Sequence, residues 1–193
     1  MKPHRGLAWG IGVLLASSIL GLQARAAEEG DNDYGELLKA LPKSKHTLAQ
    51  GIQQAAAKSP EVSISAKFEL EDGKLSLSVY TAEKGLGTDA EHNVLKELAG
   101  SPEANKWDPE VEVFKDVPHV SRASQQLTLM SLTTHSLLEI IKQAEKDQPG
   151  TVFSITPVLH VRKAQFEVLV ASQGKAIKLN YDLTTGKAIK TAK

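Results

Sequence analysis

Two stretches of the chain match each other without a gap when the sequence is shifted by 89 positions. They are TLAQGIQQAAAKSPEVSISAKFELEDGKLSLSVYTAEKG (Thr47–Gly85) and SLLEIIKQAEKDQPGTVFSITPVLHVRKAQFEVLVASQG (Ser136–Gly174), with 11 of 39 aligned positions identical. A duplicated unit constrains the architecture before any single element is assigned. Because a repeat is typical of a scaffold, we expect the distinctive function where the two copies differ.

Each copy opens with the same helix-start signal. Thr47 with Gln50, and Ser136 with Glu139, form capping boxes, in which two side chains satisfy free backbone donors at the start of a helix. Apolar residues then recur at helical spacing, more clearly in the second copy than in the alanine-rich first. A proline ends each predicted helix. A further short helix is predicted within residues 27–46, with Asp33 as its N-cap.

Alternating strands follow each helix. Residues 63–71 alternate between apolar and polar, and Asp72-Gly73 is a favoured two-residue hairpin turn. The second copy has matching strands at 151–161 and 165–171. Its turn, near Arg162-Lys163, is expected to be looser or of another type because Arg162 replaces a glycine. A third alternating strand of this copy includes Ile177 to Leu183.

The copies diverge after Gly85. The first carries an insertion, 86–107, in which Thr88 to Glu91 form a third capping box and apolar residues follow at helical spacing, so a helix is predicted. Residues 110–114 would then be the third strand, placing Lys115-Asp116 where the second copy has Tyr181-Asp182. No regular pattern is found from 117 to 134, although this segment is partly apolar.

The second copy resembles a PepSY domain. The matching features are a helix at 136–144, the Pro149-Gly150 break, a strand at 164–170, and the ending NYDLTTGKAI (180–189). The first copy departs from this pattern: Glu61 replaces the glycine, and the terminal Asp-to-Gly turn is missing. The resemblance implies a non-catalytic protein that inhibits or regulates peptidases, or a periplasmic interaction module.

Together these features predict an α+β fold of two tandem PepSY-like repeats, each a helix on a three-stranded antiparallel sheet. The predicted organisation is a signal peptide at 1–26, a linker and short helix at 27–46, repeat 1 at 47–116 and repeat 2 at 117–193. The two repeats are expected to share a core or a continuous sheet, because one such unit is marginal alone.

The N-terminus predicts export. Lys2 and Arg5 precede an uncharged apolar run, Leu7–Leu22, and Ala24-Arg25-Ala26 offers a signal-peptidase site, so cleavage is expected after Ala26. The alternative is a retained anchor, but the run is short for a spanning helix, and an acidic segment follows it. We expect a periplasmic or secreted protein with no stable membrane insertion after cleavage.

Composition excludes several classes of function. The leader holds three of the 23 basic residues and no acidic one, which leaves a mature chain with 20 basic and 23 acidic residues. Such a chain lacks the basic surface that nucleic acid requires. It contains no cysteine, so thiol catalysis, cysteine metal sites and lipidation at a cysteine are excluded.

Catalytic motifs are also missing from the sequence, and neither an enzyme nor a cofactor is predicted. The carboxylate pairs Glu69/Glu71 and Glu110/Glu112 are interpreted as solvated faces of strands. Candidate binding residues are Trp107 with Tyr80, because tryptophan is enriched at interaction hot spots; the alternative for Trp107 is a core position. His119 and His135 are a second candidate pair, able to hold a metal if they converge.

The resulting expectation is an exported regulatory or protein-interaction module whose partner is a protein, such as a hydrolase of the cell envelope. The alternative is a periplasmic sensor of a small ligand or metal, bound between the repeats or by His119 and His135.

Overall fold

The structure is a computed structural model, and it describes residues 34–58 and 61–189. The predicted leader, its predicted cleavage site and Asp33 lie outside these residues. Within the described residues, no helix has both the length and the apolar character needed to cross a membrane.

Four α-helices and seven strands make up this part of the chain, with a 3₁₀ turn at Leu41–Lys43 after the first helix. In chain order they are α1 (Gly35–Ala40), α2 (Leu48–Lys58), β1 (Val62–Glu71), β2 (Lys74–Ala82), β3 (Leu95–Gly100), β4 (Glu110–Val113), α3 (Val117–Ser131), α4 (Leu137–Asp147), β5 (Thr151–His160), β6 (Lys163–Ser172) and β7 (Lys175–Asp182). The fold is a mixed α+β arrangement.

All seven strands belong to one antiparallel sheet, in the order β4-β3-β2-β1-β5-β6-β7. The two halves join where β1 pairs with β5, and Ala66 there faces Ile155, its own counterpart under the 89-residue shift. The two halves thus share one continuous sheet, which was one of the two expected arrangements, and the prediction of three strands in each repeat is not confirmed because the first half contributes four. A continuous sheet leaves no edge exposed at the centre, where a marginal three-stranded unit would have had one.

The secondary-structure elements of the two copies are also related by the 89-residue shift. It carries the bounds of α2 onto α4 and those of β1 onto β5. Each of these strands also has a bulge at the same place, between Ser63 and Ser65 in β1 and between Val152 and Ser154 in β5. The predicted helix and hairpin of each copy are therefore confirmed as secondary-structure elements.

Helices cover both faces of the sheet. Helices α2 and α4 contact β1, β2, β5 and β6 on one face, where Gly51 of α2 lies against Leu77. Helix α3 crosses β1 and β5 on the opposite face, where the buried Ser65 hydroxyl donates a 2.8 Å hydrogen bond to Gln126. Apolar side chains on both faces are consequently buried near the β1–β5 junction.

The predicted helix in the insertion 86–107 is wrong. Residues 86–94 form turns, in which Asp89 accepts a 3.0 Å hydrogen bond from the His92 amide, and strand β3 follows. Leu95 and Leu98 are buried in β3 because they pair with β2. Long-range strand pairing overrides the local helical spacing here.

This changes the strand count of the first half. Gly100 pairs with Leu77 just as Tyr181 pairs with Phe166, so Gly100, and not Lys115-Asp116, takes the place of Tyr181. Strand β3 is therefore the third strand of this half. The predicted strand at 110–114 exists as β4, but it is a fourth strand at the edge of the sheet.

Residues 117–131, expected to be irregular, form the 15-residue helix α3. Asp116 caps it by accepting a 3.1 Å hydrogen bond from the His119 amide, and Pro118 lies in its first turn. Its buried face includes Gln126, whose polarity interrupts the apolar pattern that marks a helix in the sequence.

The second hairpin turn is neither looser than the first nor of another type. His160 pairs with Lys163 as Glu71 pairs with Lys74, so both loops have two residues. Val161 and Arg162 have φ of 46° and 63°, close to the 48° and 75° of Asp72 and Gly73. The backbone keeps the same turn although a β-branched residue disfavours positive φ.

The capping box of α4 gives a first prediction. Ser136 Oγ accepts a 3.2 Å hydrogen bond from the Glu139 amide, and the Glu139 carboxylate accepts a 2.8 Å bond from the Ser136 amide. Replacing Ser136 with alanine is expected to lower the free energy of unfolding by about 1 kcal/mol. Denaturant titration at neutral pH would measure this, and Ser136→Asp, which keeps a capping oxygen, should show little loss.

The same cap gives a dependence on pH. Hydrogen bonds from Ser136 hold the pKa of Glu139 below its usual range. A depressed folded-state pKa stabilises the fold above the unfolded-state pKa, and this contribution disappears as pH falls through the folded-state value. The Glu139→Gln variant, which keeps an acceptor oxygen but has no carboxyl group to protonate, should therefore lose less stability than the parent on acidification. An equal loss in both proteins would show that this cap does not contribute.

Candidate binding surface

Tyr80 and His119 come together through a residue that the sequence did not indicate. Phe114 lies between them, with its ring centroid 5.7 Å from that of Tyr80 and 5.3 Å from that of His119. Tyr80 and Phe114 are buried, whereas the His119 side chain is 44% exposed. The His119 ring is also held by the Asp116 carboxylate at 2.8 Å.

His135 lies elsewhere, so the convergence of His119 and His135 that a shared metal site would require does not occur. His119 is in the first turn of α3, and His135 follows the end of this helix, whose 15 residues span about 21 Å. The His135 ring packs instead at the turn near Gly186, where a Cβ would approach it to 3.0 Å. The two histidines cannot ligate one metal ion in this structure.

Trp107 takes the position that was its alternative, in the core. Its side chain is fully buried, and its Nε1 donates a 3.3 Å hydrogen bond to the Gly100 carbonyl. Its loop is tied to the α2 side of the sheet by an ion pair between Lys58 and Asp108 at 2.7 Å. Tyr80 points from the opposite face, so Trp107 and Tyr80 do not form a joint exposed site.

An acidic cluster lies beside Tyr80 on the face that α3 partly covers. Carboxylate oxygens of Glu69, Glu71 and Glu97 all lie within 4.8 Å of one another. Lys67 forms an ion pair with Glu69, and its Nζ lies 5.7 Å from the centroid of the Tyr80 ring. Glu97 was not predicted as part of this cluster, because the sequence analysis placed it on a helix.

The acidic cluster and its partial burial shift the pKa values of two groups. Burial raises the pKa of the Glu71 carboxyl, and repulsion from Glu69 and Glu97 raises it further. Burial also raises the pKa of the Tyr80 hydroxyl, with smaller contributions from Glu97 and Glu69. Concentrated negative charge in a partly desolvated place favours an approaching cation.

A shallow groove continues from this cluster to the edge of the sheet. It encloses about 550 Å³ and runs from the β1–β2 turn across the end of β3 to β4. Its charged lining residues are six acids and one lysine: Glu71, Asp72, Lys74, Glu97, Asp108, Glu110 and Glu112. Glu110 and Glu112 point to the same face as Glu97, because Glu112 pairs with Glu97.

Strand β4 forms one wall of this groove, and it is an open edge. All four of its residues are exposed, including Val111 at 59% and Val113 at 40%. At the opposite edge of the sheet the chain folds back on β7. The Asp182 amide donates a hydrogen bond to the Lys187 carbonyl, and the Ile189 amide donates one to the Asn180 carbonyl. Among the described residues, β4 pairs with β3 alone.

Comparisons with known proteins leave the family open. No protein-family model matches the chain, and no curated protein matches it either. A crystal structure of a "putative lipoprotein" from Clostridium difficile 630 aligns over 76% of this chain and 92% of its own, at 12% identity and a TM-score of 0.38.

Proposed function

We propose that this protein is an exported, non-catalytic binding module, and that β4 and the adjoining acidic groove form the surface that receives a protein partner. The observation that carries the proposal is the open edge of β4, with two exposed valines on one face and two glutamates on the other. An edge strand presents unpaired backbone N–H and C=O groups with which a strand of another chain can pair.

Export is supported by the leader, with its basic start, its apolar run and its small-residue site before Ala27. The PepSY-like pattern of the second copy supports a regulatory function, and the specific form we propose is control of a peptidase or other hydrolase of the cell envelope. A negatively charged groove also opposes the phosphate backbone of nucleic acid. The alternative, a sensor of a small ligand or metal, loses one of its two expected sites, the His119 and His135 pair.

A site-specific crosslinking experiment tests the proposal. A photoreactive amino acid is placed at Val111 on β4 or, as a matched control of similar exposure, at Leu132 after α3 (64% exposed). We expect a discrete adduct in the native cell envelope from position 111 and none from position 132. The adduct is identified by mass spectrometry, and unlabelled protein in excess should compete it away.

The identified partner is then purified and mixed with the unmodified protein. We expect saturable binding and, if the partner is a peptidase, lower activity with its substrate. Identical adducts from positions 111 and 132, or no adduct at all, would contradict the proposal. Binding without any change in the partner's activity would retain the binding module and remove the inhibitory role.

A further inference from the structure

We infer that the partner segment is an extended stretch with basic residues at alternate positions, and that it pairs with β4 as an eighth strand of the sheet. This inference rests on the proposed function, because it specifies what the β4 surface binds. Three properties of β4 support it: the direction of its free backbone groups, the alternation of its side chains, and the uncompensated charge of its glutamates.

The backbone of β4 has its free groups on Val111 and Val113. The Phe114 amide donates a 3.0 Å hydrogen bond to the Leu95 carbonyl in β3. Backbone groups of alternate residues in an antiparallel strand point to opposite sides. Glu110 and Glu112 therefore point their amides and carbonyls at β3, and Val111 and Val113 point theirs outward, where an added strand would pair.

The side chains of β4 specify what that strand must contain. Glu110 and Glu112 lie on the groove face, and Val111 and Val113 lie on the other face. Residues directly opposite one another on paired strands place their Cβ atoms about 4.5–5.5 Å apart. A partner strand therefore presents Lys or Arg at two positions separated by one residue, and an apolar residue between them contacts Val111.

The glutamates of β4 and the neighbouring Glu97 have no ion-paired cation among the described residues. Glu112 lies directly opposite Glu97, and like charges in such a pair destabilise a sheet. Within that part of the chain, no ion pair includes Glu97, Glu110 or Glu112. The nearby Lys67 is engaged by Glu69. A basic strand would supply the missing positive charge.

The same charges oppose the competing occupant, a second copy of this chain. Two β4 strands paired antiparallel about a twofold axis would keep the same faces together, so Glu110 and Glu112 would meet the glutamates of the other copy. Like charges directly opposite each other are unfavourable. The edge thus selects against its own dimer and in favour of a basic strand.

The test uses the purified mature protein and synthetic peptides. The first peptide is acetyl-Thr-Lys-Val-Lys-Val-Lys-Thr-amide. A second has the same composition with the three lysines adjacent, and a third has the first sequence with N-methylated valines, which removes backbone donors on one side. Calorimetry should show the first binding at least tenfold more tightly than either of the others, with an affinity that weakens as salt is added.

Hydrogen exchange locates the peptide. We expect the amides of Val111 and Val113 to gain protection, because only an added strand would bond them. The double variant Glu110→Gln/Glu112→Gln should weaken binding roughly 3- to 30-fold, since two charge pairs are lost. The variant Glu91→Gln/Glu145→Gln, with the same change in charge at exposed positions outside the groove, should bind as the parent does.

The possible results separate the two proposals. Equal binding of the alternating and adjacent-lysine peptides, or no added protection at Val111 and Val113, would overturn strand addition. If the alternating peptide fails while position 111 still crosslinks a partner in the envelope, the inference is wrong and the proposed function stands. If both experiments fail, the β4 surface is not a binding site.

Discussion

Replacing Trp107 with alanine is expected to lower the free energy of unfolding by about 3–5 kcal/mol, the loss typical of a large aromatic removed from a core. Trp107 is fully buried and is among the largest buried side chains of the described residues. The substitution leaves a cavity between the sheet and the loop that joins β3 to β4. It also removes the 3.3 Å hydrogen bond from Nε1 to the Gly100 carbonyl.

The loss should extend to the proposed binding edge, because the Trp107 loop leads directly into β4. With that loop loosened, β4 would pair less firmly with β3, and the amides of Glu110 and Glu112 should exchange faster with solvent. Circular dichroism during denaturant titration measures stability, and hydrogen exchange measures the pairing of β4. Trp107→Phe, which keeps much of the volume, is the matched control and should lose clearly less stability.

An unchanged free energy of unfolding in Trp107→Ala would mean that the tryptophan is not a core residue in solution. The hot-spot interpretation would then regain support. Fluorescence of the parent protein offers an independent check, because Trp107 is the only tryptophan outside the predicted leader, which contains Trp9. A buried indole in the folded protein should shift its emission to longer wavelength on unfolding.

The repeated elements could be predicted from the sequence because their signals are local. The capping boxes at Thr47 and Ser136 depend on residues three positions apart, and the Asp72-Gly73 turn depends on two neighbours. The internal repeat also supported each assignment twice. Even so, Val161 and Arg162 show that the repeat was the better guide: the same two-residue turn survives without the glycine.

The prediction for the insertion failed because its structure depends on distant partners and not on local signals. The spacing of Leu95 and Leu98 fits a helix, and what makes these residues a strand is pairing with β2, a partner found only in the tertiary structure. The strand Glu110–Val113 was predicted from the sequence. Its place at the edge of the sheet was not, because that place depends on β3. Helix α3 was missed because the buried Gln126 is satisfied by a distant hydroxyl, that of Ser65.

The candidate surface was predicted only in fragments. Tyr80 and His119 were chosen separately, and Phe114, which joins them, had no signal of its own. The pairs Glu69/Glu71 and Glu110/Glu112 each share a face, as alternation requires. Glu97, with which both pairs share that face, could not be placed there while β3 was taken for a helix.

Replacing Gly150 with alanine is expected to destabilise the fold by about 2–5 kcal/mol, from backbone strain and overpacking together. Gly150 has φ of 155°, a conformation that side-chain-bearing residues rarely adopt. A Cβ there would lie 2.4 Å from the Ala171 carbonyl oxygen and 2.8 Å from Val170 Cγ1. The first contact is with backbone of β6, so relief requires the sheet itself to move.

Thermal and denaturant unfolding of Gly150→Ala measure this loss, and Gly87→Ala is the matched control. A Cβ added at Gly87 would meet no atom within 4 Å, and Gly87 has no positive φ, so its variant should stay within about 0.5 kcal/mol of the parent. Equal stability of the two variants would show that the junction between α4 and β5 yields easily, contrary to the close approach of β6.

The first copy has a different residue, with different contacts, at the position equivalent to Gly150. Its counterpart, Glu61, is buried and is held by the Thr81 hydroxyl at 2.5 Å and by Lys96 at 2.8 Å. Lys96 comes from β3, which continues into the loop that leads to β4. Glu61→Gln should therefore weaken the attachment of β3, and it should speed amide exchange there more than in β7, because Lys96 loses its buried partner and keeps only the more exposed Glu83. Equal exchange in both strands would mean that Glu61 does not secure the half of the sheet that carries the proposed binding edge.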